Sequence, residues 1–599
     1  MRLVHFDLLV LVCLGAPRAM LLQQAKRRRG PKSWLMVREE MMGKFPPGPQ
    51  SRESLENWPL DLARGLFQSG EPEDEEMMLR MMSHMQTTMV GYTDYSGVDA
   101  PRDALHGVLA GVQKIMGWPI GAETAKFVRT CDKGIVQTAV CVNHSKEQVA
   151  SGCCHFLSIE DRLPPSAQDY LHAASASSDA SKQEREDANK DIACWVANNR
   201  NWLYPTGATT FCQVHQKQCA NHPKYSSAGL RGDEDERPSK ASRCSRSSPT
   251  DNRIGCGKDD DDNSGPLYFN VAGIECTPWS AQGASEQTAH PSDIAHSVWS
   301  AERRKWAEDG DEHLFFGECT PHYAVDMKLK AQMRGHQILH VTTGPELFGW
   351  PVRRRRVLMA GVNTSRLLYV GPTDPAEIEQ EFGRRFYKSM QITGEVFFQS
   401  PVDEVAREYT EIAQGRKFAV TTKDVLTADD QTVLEWLLPP GALFRLGDHS
   451  KRFEEIMAAG GAEAPKVHII DVEHHLDKGS TGGLEWPVQL THGTILKLTP
   501  DGTPAVAVGM DHFASMGFNM FPTQNCSFER SSLYDVLSSA RTSHRHKKML
   551  AGNSMHLVTQ AAWMAWVLSN CIRVRPVTVA RPLTALRGSW EDLELDDME

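Results

Sequence analysis

The stretch TTMVGYTDYSGVDAPRDALHGVLAGVQKIMG, residues 87–117, changes its hydrophobic period partway along. Its first eight residues read as a strand that ends in the turn formers Tyr95-Ser96-Gly97. Pro101 then stands at a helix start, followed by Leu105, Val108, Leu109, Val112 and Ile115 at helical spacing. The next segments keep this rhythm. TAKFVRTCD (124–132) reads as a second strand ending at Asp132, and CCHFLSI (153–159) as a third candidate. Further strand-like runs follow at PLYFNVAGI (266–274), EHLFFGE (312–318), HQILHVTT (336–343) and RVLMAGV (356–362). Strands alternating with helices predict an α/β fold built on a doubly wound, mostly parallel sheet.

Composition sets outer bounds. A chain of 599 residues with 40% hydrophobic and 24% charged residues is long enough for two or three structural units. The net charge of -11 argues against coating nucleic acid by bulk electrostatics, although a local basic groove needs only a handful of cations. Fourteen cysteines are too few for a disulfide scaffold, and several sit in motif-like contexts that favour thiol or metal roles. Residues 1–85 are Met-rich and read as a poorly ordered extension. Residues 86–370 form the main α/β domain, interrupted by a polar insertion at 165–264 whose second half reads as flexible. A second, smaller domain is expected at 371–530. A closing polar turn and apolar helix at 531–580 return to the main domain, and 581–599 form a tail. No apolar run past the N-terminus approaches the roughly 18 residues that span a bilayer, so no membrane partner is expected. At the N-terminus, LLVLVCLGAPRA (8–19) resembles a short signal segment, whereas KRRRGPK (26–32) reads as a nuclear-import cluster or a solvated charge run; a nuclear protein is the expectation.

In open parallel sheets, ligands bind beyond the carboxyl ends of the strands. Tyr95, Ser96, Gly97, Asp132, Cys276 and Glu318 all lie just past strand-like runs and should converge on one crevice. An acid ending the second strand suits the ribose hydroxyls of a nucleotide-like cofactor; the other reading of Asp132 is a plain carboxylate in a turn. Two strands deliver the same tetrapeptide, Glu-Cys-Thr-Pro, in FNVAGIECTPWSAQG (269–283) and LFFGECTPHY (314–323). At most one of Cys276 and Cys319 should be a nucleophile.

Taken in order, these segments resemble the cytosine-5 DNA methyltransferase family from about residue 88 to 575, apart from the insertion. GIECTPWSAQG is similar to that family's Gly-Phe-Pro-Cys-Gln-x-Phe-Ser-x-x-Gly, with Cys276 on the nucleophile. LFFGECT is similar to its strand ending in Glu-Asn-Val, with Glu318 on the glutamate. GHQILHVTTGPELFGWPVRRRRVLMAGV resembles the following strand and arginine signature, placing Arg354 and Arg356 in register. AGNSMHL resembles the closing Gly-Asn-Ser-Val, and TDYSGVDAPRDAL the opening Asp-x-Phe-x-Gly motif. The resemblance implies a Rossmann-like methyltransferase that moves a methyl group from S-adenosylmethionine to carbon 5 of cytosine in DNA, with residues 371–530 in the place of the target-recognition domain. It implies Cys276, Glu318, Arg354 and Arg356 as catalytic residues, and Tyr95, Ser96, Gly97, Asp132, Asn553 and Ser554 around the cofactor. Glu275 replaces the family's proline, and a carboxylate beside the thiol is expected to raise the pKa of Cys276. The alternatives are RNA cytosine-5 methyl transfer, with Cys276 and Cys319 as a thiol pair, and a catalytically inactive nucleic-acid-binding protein.

FCQVHQKQCANHP (211–223) places Cys212, His215, Cys219 and His222 at gaps of two, three and two residues. Tetrahedral zinc accepts such a set; a Cys/His-rich loop without metal is the competing reading.

Overall fold

The computed structural model describes residues 44–118, 124–148, 153–222, 224, 265–280, 286–461, 464–476, 482–490, 493–500, 504–539 and 542–574. The signal-like stretch, the basic cluster at 26–32, the second half of the insertion and the tail at 581–599 lie outside them.

Chain order runs α1 (Arg52–Glu56), α2 (Trp58–Phe67), α3 (Asp74–Met85), β1 (Met89–Asp94), α4 (Ala100–Ile115), β2 (Ala125–Cys131), α5 (Ile135–Gln148) and β3 (Cys154–Phe156). The insertion contributes α6 (Pro165–Ala174), α7 (Lys182–Leu203) and the hairpin β4 (Thr209–Cys212) with β5 (Lys217–Ala220). The main sheet resumes with β6 (Leu267–Gly273), α8 (Ser292–Glu308), β7 (Leu314–Cys319), β8 (His336–Thr343) and β9 (Arg356–Asn363). After β10 (Leu367–Tyr369) come helices α9 (Pro375–Phe386), α10 (Val402–Gly415), α11 (Thr422–Thr427), α12 (Asp430–Leu437) and α13 (Pro440–Gly460). A small antiparallel sheet, β11 (His468–Asp471), β12 (Gly482–Gly483), β13 (Ile495–Leu498) and β14 (Ala505–Val506), packs on α12 and α13 around Leu437, Leu446, Phe453, Ile470 and Leu496. Helices α14 (Gly509–Ser515), α15 (Leu533–Ser539), α16 (His544–Asn553) and α17 (Leu557–Ser569) then lead to β15 (Cys571–Arg573), which pairs with β10.

The seven main strands lie in the order β3-β2-β1-β6-β7-β9-β8. β1, β2, β3, β6 and β7 pair in parallel, and β9 runs antiparallel to both of its neighbours. This is a doubly wound, Rossmann-like α/β sheet. The chain steps outward from β1 to β3 and then crosses back to β6, so the switch point lies between β1 and β6. The predicted helix of residues 101–115 is present as α4, with Leu105, Val108, Leu109 and Val112 buried against the sheet. α17 is buried around its whole circumference and lies against α3 and α4.

Residues 44–85 differ from the expected loose extension. Met77, Met81 and Met85 recur every four residues and form one buried stripe on α3. Helix α2 lies directly on α4, because Gly107 and Gly111 stand one turn apart and let the backbones approach. A Cβ at Gly111 would sit 2.1 Å from the Pro59 carbonyl oxygen, and one at Gly107 2.5 Å from the Trp58 ring. This N-terminal stretch is therefore part of the main core.

The described part of the insertion also folds. Ser181 and Glu184 form a capping box at the start of α7, which packs on α8. His222 leaves the expected ligand set: past β5 the chain turns away, and the His222 ring stands edge-on to Trp306 at 4.2 Å, with its Nδ1 accepting from the Lys224 N–H at 3.1 Å. Burial pushes its pKa down to about 2. The residues that gather instead are Cys212, His215, Cys219 and Cys154, the last from the edge strand β3.

Candidate active site

The strand register explains why distant residues meet. Gly273 at the end of β6 lies opposite Glu318 near the end of β7, so Cys276, three residues further on, leaves the sheet beside that glutamate. β9 is antiparallel, and its first residues sit where the parallel strands finish: Cys319 pairs with Val357, and Thr343 with Arg356. The arginine run therefore enters the sheet at the edge from which Tyr95, Asp132 and Cys276 depart.

The four arginines do not form one solvated face. Arg353 Nε donates to Glu485 at 2.5 Å, and Arg355 Nε to Glu346 at 3.1 Å. Arg356 Nε stands 3.1 Å from Glu318 Oε1, and Arg354 reaches the same oxygen at 3.7 Å. Arg354 also donates to the Gly552 carbonyl at 3.1 Å and to the Ser554 carbonyl at 2.5 Å. It thus ties the closing turn after α16 to the glutamate. Burial beside Arg356 lowers its own pKa to about 10, and Glu318 is only 6% exposed. A buried carboxylate against two guanidiniums is an electrostatically organised site of known orientation.

Cys276 is half-buried in the loop between Ile274 and a short 3₁₀ turn, Thr277–Trp279, with its Sγ 3.4 Å from the Ile274 carbonyl. Its thiol is pulled down to about 7. The largest cause is a hydrogen bond from Cys319, helped by Arg356 and Arg354 and opposed by burial and by Glu318. The upward shift expected from Glu275 is not what the thiol shows: the carboxylate that raises it is Glu318, and the Cys319 donor and the two cations outweigh that effect. Cys319 is fully buried, and its own thiol is pushed up by that burial and by Cys276. A thiol titrating near 7 predicts that alkylation of Cys276 speeds up about tenfold between pH 6 and pH 8, as the thiolate fraction rises with pH. Cys319→Ala removes the donor and should move that midpoint upward, toward the ordinary thiol value. Mass-spectrometric alkylation rates across pH check both, and an unshifted midpoint would deny Cys319 this part.

On the other side of the switch point, the turn after β1 holds Tyr95, Gly97 and Asp99 at φ of 53°, 58° and 63°. Two non-glycine residues in the left-handed region cost about 1–3 kcal/mol each, so the turn must be held by its surroundings. Ser96 does this: its N–H donates to the Cys131 carbonyl and its Oγ accepts from the Cys131 N–H, both at 3.0 Å. Asp132 accepts from the Gly97 N–H at 2.9 Å and the Gly134 N–H at 3.0 Å, and burial raises its pKa. The closing turn arrives over these residues. A Cβ on Gly97 would lie 3.4 Å from the Asn553 carbonyl oxygen, and one on Gly273 2.9 Å from the Tyr95 carbonyl oxygen. Asn553 is exposed and Ser554 buried. A small, partly open cleft lined by Tyr95, Ile274, Glu275 and Trp279 among others adjoins this junction.

Periodicity could not single out two of the residues here. Ile135 opens α5 just beyond Asp132 and is 88% exposed, an unusual place for a large aliphatic side chain. Cys319 reads as an ordinary buried thiol until the register brings it beneath Cys276. Exposure reveals the first, which the chain does not show; for the second, the repeated tetrapeptide marks the thiol, and burial and its effect on Cys276 give its part.

No protein-family model and no curated protein matches this sequence. Solved structures do match. A DNMT2 mutant from Spodoptera frugiperda aligns with TM-score 0.33 and 9% identity over 80% of this chain and 99% of that one. The S. pombe Dnmt2 methyltransferase aligns with TM-score 0.33 and 10% identity over 80% and 98%, and the Entamoeba histolytica methyltransferase EhMeth with TM-score 0.31 and 9% identity over the same shares. These are likenesses in chain layout alone, and the chemistry of the site is read from the chain's own residues.

Proposed function

We propose that this protein is an enzyme that methylates carbon 5 of cytosine in DNA through a covalent bond between Cys276 and the base. The observation that carries the reading is the meeting of the Cys276 thiol, lowered to about 7, with Glu318 and its two arginines at the switch-point edge of the sheet. Attack by the Cys276 thiolate on carbon 6 of the pyrimidine loads negative charge onto the ring, and carbon 5 becomes nucleophilic. The Glu318 carboxyl group shares a proton with ring nitrogen 3 as that charge builds; Arg354 and Arg356 hold the carboxyl group and orient the base. Once carbon 5 carries the methyl group, its proton passes to solvent, the electron pair re-forms the 5,6 double bond, and the bond from carbon 6 to Cys276 breaks to release the thiolate. The base must reach this crevice flipped out of a duplex or single-stranded.

S-adenosylmethionine, when bound, supplies the methyl group. The residues present fit it. The Gly97 turn and the closing turn meet backbone to backbone beyond the strand ends, Asp132 is fixed by two backbone N–H groups so that its free lone pairs can take ribose hydroxyls, and Asn553 adds an exposed amide. Ile135 offers an apolar face for the adenine. Tyr95, Ser96 and Ser554 lie at this junction, Tyr95 and Ser96 in the first turn and Ser554 in the closing one. Among the described residues no helix is long and apolar enough to cross a membrane.

The contact between Cys319 and Cys276 supports a second reading, RNA methylation with two thiols. Incubating the protein with labelled S-adenosylmethionine and either duplex DNA or folded RNA separates the two. Label at carbon 5 of cytosine in the duplex is the expected result. Label confined to RNA would replace the DNA assignment, and label in neither would leave a binding protein.

A further inference from the structure

We propose that Cys154, Cys212, His215 and Cys219 bind one zinc ion that fastens the inserted hairpin to the free edge of the main sheet. The reasoning starts from the hairpin. Alternation along β4 buries Thr210 and Cys212 and exposes Phe211, so the Cys212 thiol points inward toward β3. Gln216 takes a left-handed conformation, φ 51°, which closes the turn and brings His215 back beneath the strand pair. Cys219 follows on β5, and Cys154 comes from β3, the outermost strand of the sheet.

The geometry matches a metal better than a hydrogen-bonded thiol cluster. His215 Nδ1 stands 3.5 Å from Cys154 Sγ, 3.4 Å from Cys212 Sγ and 3.5 Å from Cys219 Sγ. Zinc bonds of about 2.3 Å to sulfur and 2.0–2.1 Å to nitrogen, set at tetrahedral angles, require an edge of about 3.6 Å. Three edges of one imidazole nitrogen agree with that value, and all four ligand atoms lie within 4.8 Å of one another. The His155 N–H and the His215 N–H point at Cys212 Sγ from 3.4 and 3.5 Å, donors suited to a thiolate. Three soft thiolates and one imidazole in a closed tetrahedral set select zinc in a structural site, with no position left for a substrate.

The consequence reaches beyond the hairpin. Next to Cys154, His155 meets Thr130 at 2.8 Å and Thr138 at 3.2 Å, and the Phe156 carbonyl accepts from the Asp132 N–H at 3.2 Å. The metal thereby anchors the strand end that carries Asp132.

Elemental analysis of the full chain, purified without chelator, tests this. One equivalent of zinc is expected. His222→Ala should keep it, and Cys154→Ser and Cys212→Ser should lose it. Because those two variants can fail by misfolding, the wild-type protein loaded with cobalt(II) gives a second readout: intense tetrahedral bands with sulfur-to-metal charge transfer. Hydrogen exchange of residues 153–158 and 209–220 should accelerate when the metal is stripped. A wild-type chain that holds no metal after zinc supplementation, a disulfide among the three thiols, a weak octahedral cobalt spectrum, zinc retained by Cys154→Ser, or zinc lost by His222→Ala would each overturn the assignment.

Discussion

Cys276→Ser is expected to abolish the covalent adduct with a 5-fluorocytosine duplex and to cut methyl transfer by at least about 10⁴-fold, the scale on which removal of a sole nucleophile is felt. A serine hydroxyl in this place stays protonated, because the stabilisation Cys276 receives is enough to bring a thiol to about 7 and leaves an alcohol far from ionising. The fluorinated base blocks loss of the carbon-5 substituent, so attack is trapped as a protein–DNA band in a denaturing gel. Cys319→Ser should keep that band, since its side chain is buried below Cys276 and a hydroxyl still donates. Persistence of the adduct in Cys276→Ser, or its loss in Cys319→Ser alone, would move the nucleophile to the other thiol and with it favour the RNA reading.

Arg162→Met is expected to destabilise the fold by about 3–5 kcal/mol, the cost of breaking a buried ion pair from one side. Asp94, Glu302 and Glu312 face Arg129, Arg162 and Arg303 beneath the switch point, three acids against three bases, all of them buried. Arg162 lies 3.0 Å from Asp94 and 3.3 Å from Glu302, whereas Arg303 meets Glu312 at 2.5 Å. The rings of Tyr92 and Trp306 lie against the guanidiniums of Arg129 and Arg303. Methionine matches much of arginine's length, so the loss measures the abandoned carboxylates and not an empty volume. Urea unfolding of the wild type and the variant gives the difference, and a change below about 1 kcal/mol would show that the remaining charges rearrange at little cost.

Arg162 also shows why a linear reading has a boundary. It sits just before the polar segment that looks like an insertion, yet its side chain belongs to the central core. The same holds for α3, whose Met77, Met81 and Met85 form a helical stripe that composition alone presents as an irregular Met-rich leader. Cys154 and His222 make the point for the metal cluster. Spacing along 211–223 offers four ligands within one loop, but a hairpin can turn only some of them to one point, and the fourth position is filled from a strand that neighbours it in space.

The sequence by itself determined the α/β rhythm, the strands that bear Tyr95, Asp132, Cys276 and Glu318, and the pairing of an arginine run with that edge. Periods of two and of three to four residues are local properties, enforced by backbone geometry and visible in any short window. Only the tertiary structure decided that Cys319 supports Cys276, that Ile135 stands exposed beside Asp132, that Cys154 completes the thiolate set and that residues 44–85 join the core. Each of these depends on strand order, register or helix crossing, which bring together groups tens to hundreds of residues apart, and burial then sets their charge and reactivity.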